Sequence, residues 1–324
     1  MLSFSDWILR RLRGNEKPMT MPATLPDETR PVTAALVMIC AMAIIGVIDN
    51  FIVTLAQDIG LWQFHLLRTL MALPLAAAMA GLGLGRLMPR RPGRVALRSV
   101  LVALAMLFYF SALAIMPIAQ ALAGLFTSPI FILLITALGM GQRIGPWRIL
   151  AVAVGFSGIL LVLQPDPGNF DWSVLIPVAG GLFYAMGAIA TRSLCAGEST
   201  VALLTGMLIA LGLMGAAGLA WLALFPVETL PGPDGFVTRG WVWPMQRALP
   251  WVVVQAVGSV AGVFLIIKAY QQGEPSYVSV FEYSVMVFGP LFAWVAFGQP
   301  VGPWQVAGIA LIAAAGAIIA VRSK

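Results

Sequence analysis

From about residue 33 onward the apolar positions fall in long continuous runs, without the alternation of strands or the one-sided stripes of surface helices. A helix needs about 20 apolar residues to cross the hydrocarbon core of a bilayer. Ten segments meet that length: 33–56, 62–84, 96–116, 118–139, 146–164, 172–192, 200–225, 248–271, 277–297 and 302–321. Each is predicted as one transmembrane helix, which closes its own backbone hydrogen bonds where no water is present.

Breakers separate the runs. Pro89-Arg90-Arg91-Pro92-Gly93 divides the second segment from the third, and Pro117 the third from the fourth. Gly145-Pro146 opens the fifth, and Gln164-Pro165-Asp166-Pro167-Gly168 closes it. The longest connection, 226–247, holds Pro226, Pro231, Gly232, Pro233, Gly235 and Pro244. Proline removes a backbone donor and glycine frees the chain, so helices stop there. A β-barrel needs alternating strands of about 10 residues; the uninterrupted run Leu101–Ala114 excludes that reading.

Composition agrees. Of 324 residues, 60% are hydrophobic and 10% charged, with mean hydropathy +0.94. Ordinary soluble chains carry roughly 25% charged residues, so neither a soluble enzyme nor a disordered protein fits. The net charge of +6 comes from basic residues placed between apolar segments. That is an orientation signal, which argues against nucleic-acid binding. Sixteen of the 19 basic residues lie on one side if the N-terminus is inside, Arg239 and Arg247 lie on the other, and Arg68 is within a helix. The expectation is a multi-pass protein of a bacterial inner membrane with both termini cytoplasmic. Cys40 and Cys195 show no metal-ligand spacing, and no cofactor is expected. Residues 1–32 carry Arg10, Arg11, Arg13, Lys17 and four prolines, without the apolar core of a cleavable signal. They read as a cytoplasmic tail, either mobile or lying as a short basic helix on the membrane surface.

A repeat divides the chain. Gly145-Pro146-Trp147-Arg148 opens the fifth segment and Gly302-Pro303-Trp304-Gln305 the tenth, an offset of 157 residues. Both lead into helices rich in small residues, which allow close backbone approach inside a bilayer. The predicted units are 33–165 and 166–324. Five helices is an odd number, so the second copy enters the membrane upside down. Inverted repeats that meet at a midplane site are a common plan of secondary transporters.

Several segments carry a family resemblance. They are Tyr109 to Pro117, Ala121 to Phe131, the Gly-Pro-Trp helix ending Gly158-Ile159-Leu160-Leu161-Val162-Leu163, Ala269-Tyr270 with Glu274-Pro275, Phe281-Glu282-Tyr283-Ser284 through Pro300, and Gly302 to Arg322. In this order they resemble EamA-type members of the drug/metabolite transporter superfamily. The resemblance implies an all-α polytopic fold of two inverted five-helix repeats. It also implies transport of small organic solutes, among them amino acids, vitamins and nucleoside-like metabolites. Family members often carry a glutamate after the fourth and ninth helices; Gln142 and Gln299 stand there in this chain. A coupling role for that acid is therefore not carried over.

Ionisable groups at membrane depth are costly and mark pathways or paired locks. Asp49 and Asn50 lie about eight residues, roughly 12 Å, from the outer end of the first segment. Arg68 lies at a similar depth in the second, with His65 three residues earlier on the same face. Two readings are open: a fixed Asp49–Arg68 ion pair, or a site in which Arg68 holds an anionic group and Asp49 exchanges a proton. Glu282 lies about five residues into the ninth segment, at the depth of Lys268, which either pairs with it or snorkels to the interface. Tyr109, Tyr184, Tyr283, Phe126 and Trp294 are candidate walls of a cavity between the halves. The expected partners are a small-molecule substrate and membrane lipids; proton coupling and oligomeric state stay open.

One rival class is an intramembrane enzyme. Gly155-Phe156-Ser157-Gly158 matches the string around rhomboid protease serines, but the one histidine, His65, lies upstream of it. A serine nucleophile needs a base within hydrogen-bond reach. The other rivals are a channel and a non-transporting scaffold. A channel would carry charge rings or carbonyl filters. No P-loop is present for self-contained ATP-driven transport.

Overall fold

A computed structural model describes residues 30–115, 121, 124–163, 173, 175–298 and 302–322. The expected N-terminal helix or tail, Pro117 and Gln299 lie outside the described residues. Among the described residues the chain is helical. In order the helices are α1 (Pro31–Asp49), α2 (Ile52–Asp58), α3 (Leu61–Gly81), α4 (Pro92–Ile115), α5 (Ser128–Leu134), α6 (Pro146–Leu163), α7 (Leu175–Ser193), α8 (Thr200–Leu224), α9 (Leu249–Gln272), α10 (Pro275–Val278), α11 (Val285–Phe297) and α12 (Pro303–Arg322). Among the described residues eight spans are long and apolar enough to cross a membrane, and the shorter apolar helices Ser128–Gly139 and Pro146–Val162 stand where the fourth and fifth segments were expected. Exposed Leu138, Leu213 and Val295 give the bundle an apolar outer surface suited to lipid.

Three expected helices are not regular. The first breaks between α1 and α2, at Asn50 and Phe51. Asn50 Nδ2 donates to Gly46 O at 2.6 Å and to Gly289 O at 3.4 Å, so its amide competes for main-chain acceptors. The fourth ends in a π turn, Ile135–Gly139. The ninth is split into α10, a 3-10 stretch Ser279–Ser284, and α11. Apolar periodicity does not register such breaks, because both sides of each are equally hydrophobic.

Helix pairing is antiparallel where the Gly-Pro-Trp motifs occur. α6 packs along α12, and the Arg322 guanidinium at the end of α12 sits 5.0 Å over the Trp147 ring at the start of α6. A Cβ on Gly158 would lie 2.7 Å from Gly308 O, and one on Gly308 would lie 2.5 Å from Gly158 O. Only glycine at both positions allows this approach. α1 also packs on α9 and α11, α4 on α7, α5 on α7, and α3 on α8.

The two ends of the bundle are closed differently. At the end carrying Arg30 and Arg322, Arg30 N donates to Gln272 O, and Arg148 pairs with Glu274 at 2.5 Å and donates to Ser276 Oγ. Glu198 accepts the backbone N–H groups of Arg90 and Arg91 just before α4, where a helix N-terminus favours an anion. At the opposite end the 226–247 connection folds over α2 and α3. Arg239 donates to Ala56 O, Ile59 O and Gly232 O. Gln63 exchanges two hydrogen bonds with Val242 and Trp62 Nε1 donates to Val237 O.

Candidate functional site

A cavity lies in the middle of the bundle, lined from α1, α3, α4, α7, α9 and the broken ninth segment. The centre of a water molecule can range over about 110 Å³ of it, several times the ~10–15 Å³ one water needs. Its walls are chiefly apolar, among them Met42, Ile45, Phe110, Phe126 and Ile266. Two acidic and two basic side chains line it, Asp49, Glu282, Arg68 and Arg98.

Glu282 sits in the 3-10 stretch and is 2% exposed. Its Oε1 accepts from Tyr184 Oη at 2.8 Å and from Tyr270 Oη at 2.7 Å. Two phenols from α7 and α9 therefore fix the carboxylate, and Oε2 has no partner. Hydrogen bonds to a charged acceptor are about twice as strong as neutral ones, which is how a short acidic side chain is kept at this depth.

Asp49 and Arg68 face the same cavity from α1 and α3 but do not form an ion pair. Arg68 is instead held from behind. Its Nη2 lies 3.3 Å from His65 Nδ1, its Nη1 donates to Ser259 Oγ at 3.5 Å, and its guanidinium lies 5.0 Å from the Phe64 ring centroid and 5.8 Å from that of Phe110. Contacts with ring faces stabilise a desolvated cation. His65, edge-on to Phe110, supports Arg68 as an acceptor, which leaves its proton on Nε2. Gln255, one helical turn from Ser259 on α9, donates to Ile48 O at 2.7 Å and so steadies the break beside Asp49.

The cavity is the type of site found in secondary carriers: broken helices, apolar walls and few polar anchors. The model of the EamA-like transporter family matches residues 32–164 and 171–321. The chain belongs to the EamA-like transporter family. It is therefore a multi-pass membrane transporter of the drug/metabolite superfamily. The chain is 29% identical over 310 residues to a riboflavin transporter of Rhizobium johnstonii, covering 94% of this chain and 96% of that one. It is 25% identical over 224 residues to the pseudopaline exporter CntI of Pseudomonas aeruginosa, covering 67% and 71%. A solved structure titled "Crystal structure of protein" superposes with a TM-score of 0.70 at 21% identity, covering 90% of this transporter and 96% of that chain.

Of the residues that sequence reasoning singled out, Asp49, Arg68, Tyr109, Tyr184, Glu282 and the wall residue Phe126 line the transporter's cavity. Asn50, His65, Tyr283 and Trp294 do not. Asn50 bonds main chain at the helix break, His65 stands behind Arg68, Tyr283 is buried against Phe126 and Gly155, and Trp294 is half-exposed on the outside. Lys268 does not meet Glu282; its Nζ lies 5.8 Å over the Phe264 ring of its own helix. Arg98 was counted among the interfacial basic residues, yet it is 4% exposed, donating to Thr191 Oγ1 at 2.9 Å and Leu203 O at 3.2 Å. Its position six residues past Pro92 was the available signal, masked by the cluster of arginines before it. Gln255, Ser259 and Tyr270 were also missed, because single polar residues in an apolar helix carry no pattern. Ser157 is exposed and donates to Ala153 O of its own helix, whereas His65 is buried beside Arg68.

Proposed function

We propose that this transporter carries a riboflavin-class solute through the central cavity by alternating access. The observation that supports it most is the convergence of Asp49, Arg68, Arg98 and Glu282 on one apolar, aromatic-edged cavity between the two halves. The solute class rests on the near full-length similarity to the Rhizobium johnstonii protein named as a riboflavin transporter. A flavin offers a large apolar ring with polar edges, which suits such walls.

The two halves, 33–165 and 166–324, act as inverted repeats that rock about the site. The helix pairing favours this. Exchanging the halves maps α6–α12 and α3–α8 onto themselves, α1–α9 onto α4–α7, and α5–α7 onto α1–α11. In the inner membrane, with both termini cytoplasmic, the Arg148–Glu274 side closes the cavity from within the cell and the 226–247 connection closes it from outside. Asp49 and Glu282 are the groups available to a coupling proton. No reaction is assigned to the protein.

Reconstitution tests the proposal. Proteoliposomes containing the full chain should accumulate or exchange radiolabelled riboflavin above empty liposomes, and an imposed pH gradient should change the rate if a proton is coupled. Equal fluxes with and without protein would refute the solute assignment.

A further inference from the structure

Three buried polar atoms of cavity-lining residues have no hydrogen-bond partner: Arg68 Nε, Ser128 Oγ and Glu282 Oε2. The carboxylate of Asp49, on the same cavity, also makes no hydrogen bond or ion pair among the described residues. Buried polar groups are almost always paired, so unpartnered atoms converging on one space point to a ligand that completes them.

These atoms are not clustered. Arg30 N bonds Gln272 O, which brings the starts of α1 and α10 to one end of the bundle. Asp49 ends the 19-residue α1, roughly 27 Å from that end by helical rise. Glu282 is seven residues past Pro275, roughly 11 Å from it. α9 spans the interval: Ser259 touches Arg68 and Tyr270 touches Glu282, separated by roughly 16 Å of rise. An elongated solute is needed to reach both. The two ends also differ in chemistry. Around Glu282 stand the rings of Tyr184 and Tyr270, whose hydroxyl protons are already committed to Oε1. Around Asp49 stand Arg68, Gln255 and Ser259, a set that exchanges hydrogen bonds with hydroxyl groups.

We infer that the two carboxylates read opposite ends of one flavin: Glu282 Oε2 accepts the imide N–H of the ring, and Asp49 with Arg68 binds the hydroxyls of the sugar-alcohol chain. The inference rests on the flavin reading above and assigns its specificity. The ring end takes a hydrogen-bond donor because Glu282 Oε2 is a free acceptor and the two phenols beside it have spent their protons on Oε1. The chain end takes hydroxyls because they donate to Asp49 while accepting from Arg68.

The test is equilibrium binding to the purified full chain in detergent, read by quenching of flavin fluorescence, with three probes. Riboflavin has both ends, lumiflavin carries a methyl in place of the hydroxylated chain, and 3-methylriboflavin lacks the imide N–H. Glu282→Gln should weaken riboflavin and lumiflavin about tenfold or more, the loss of one charge-assisted hydrogen bond, and leave 3-methylriboflavin at its wild-type affinity. Asp49→Asn should weaken riboflavin and 3-methylriboflavin similarly and leave lumiflavin at its wild-type affinity. Thermal unfolding of each variant reports whether it is folded. If a folded variant loses all three probes equally, or none, the two-ended assignment is overturned while the flavin reading stands. If the folded wild type binds no flavin, the flavin reading fails and this assignment with it.

Discussion

Tyr184 on α7 donates to Glu282 across 2.8 Å and ties α7 to the 3-10 break between α10 and α11. With Tyr270 on the same oxygen, the carboxylate is anchored on two sides and open on one. Its geometry is set before any ligand arrives, which lowers the ordering cost of binding.

Removing one of those phenols should be felt in stability and in function together. Tyr270→Phe takes a donor from a buried acid at a cost of about 1–3 kcal/mol. The apparent unfolding temperature of the purified protein should fall, and solute flux should fall with it. Tyr184→Phe should act in the same direction, and the double variant should lose more than either.

Arg68 and Asp49 share a cavity without touching, so their coupling is through space. Arg68→Met should lower thermal stability, because it leaves Asp49 without a compensating charge in an apolar setting. Adding Asp49→Asn should restore part of that loss while transport stays low. A double variant less stable than Arg68→Met alone would contradict the coupling.

The Gly158–Gly308 crossing has no room for a side chain. Gly308→Val should cost about 1–3 kcal/mol as overpacking or prevent folding. Gly145→Ala should be close to neutral, since nothing lies within 4 Å of its added carbon. Fluorescence-detected size exclusion after heating separates the two outcomes.

Cys195 lies in the turn after α7, and its Sγ contacts Arg94 O at 3.7 Å. Burial pushes its thiol above the usual range, against the opposing pull of Arg98. Thiolate is therefore scarce at neutral pH, and thiolate is the reactive form. Labelling of the native protein by a water-soluble maleimide should be slow at pH 7, faster as pH rises, and complete after denaturation.

Much of this was legible in the sequence for a physical reason. The bilayer demands runs of about 20 apolar residues, and such runs are visible without any neighbour. The small residues after the Gly-Pro-Trp motifs signalled close helix approach, but not that α6 and α12 would be the pair that meets. Glu282 and Arg68 stood out because charge at depth is costly. What was hidden depends on three-dimensional partners. Arg98 reads as an interfacial arginine until Thr191 and Leu203 O are seen beside it. At the break after α1, Asn50 also reaches Gly289 O, 239 residues away in the chain. His65 and Arg68 share a helix face, but only the packing of Phe64 and Phe110 shows which of the two meets the cavity.

Alternating access requires the cavity to open to each side in turn around a bound solute. Val263→Cys, on the cavity wall and placed in a chain with Cys40→Ala and Cys195→Ala, tests it most directly. The measurement is labelling by a membrane-impermeant thiol reagent in right-side-out and inside-out vesicles, with and without riboflavin. Alternating access predicts labelling from both sides and protection by riboflavin in each case. Labelling from one side alone, unaffected by riboflavin, would contradict it.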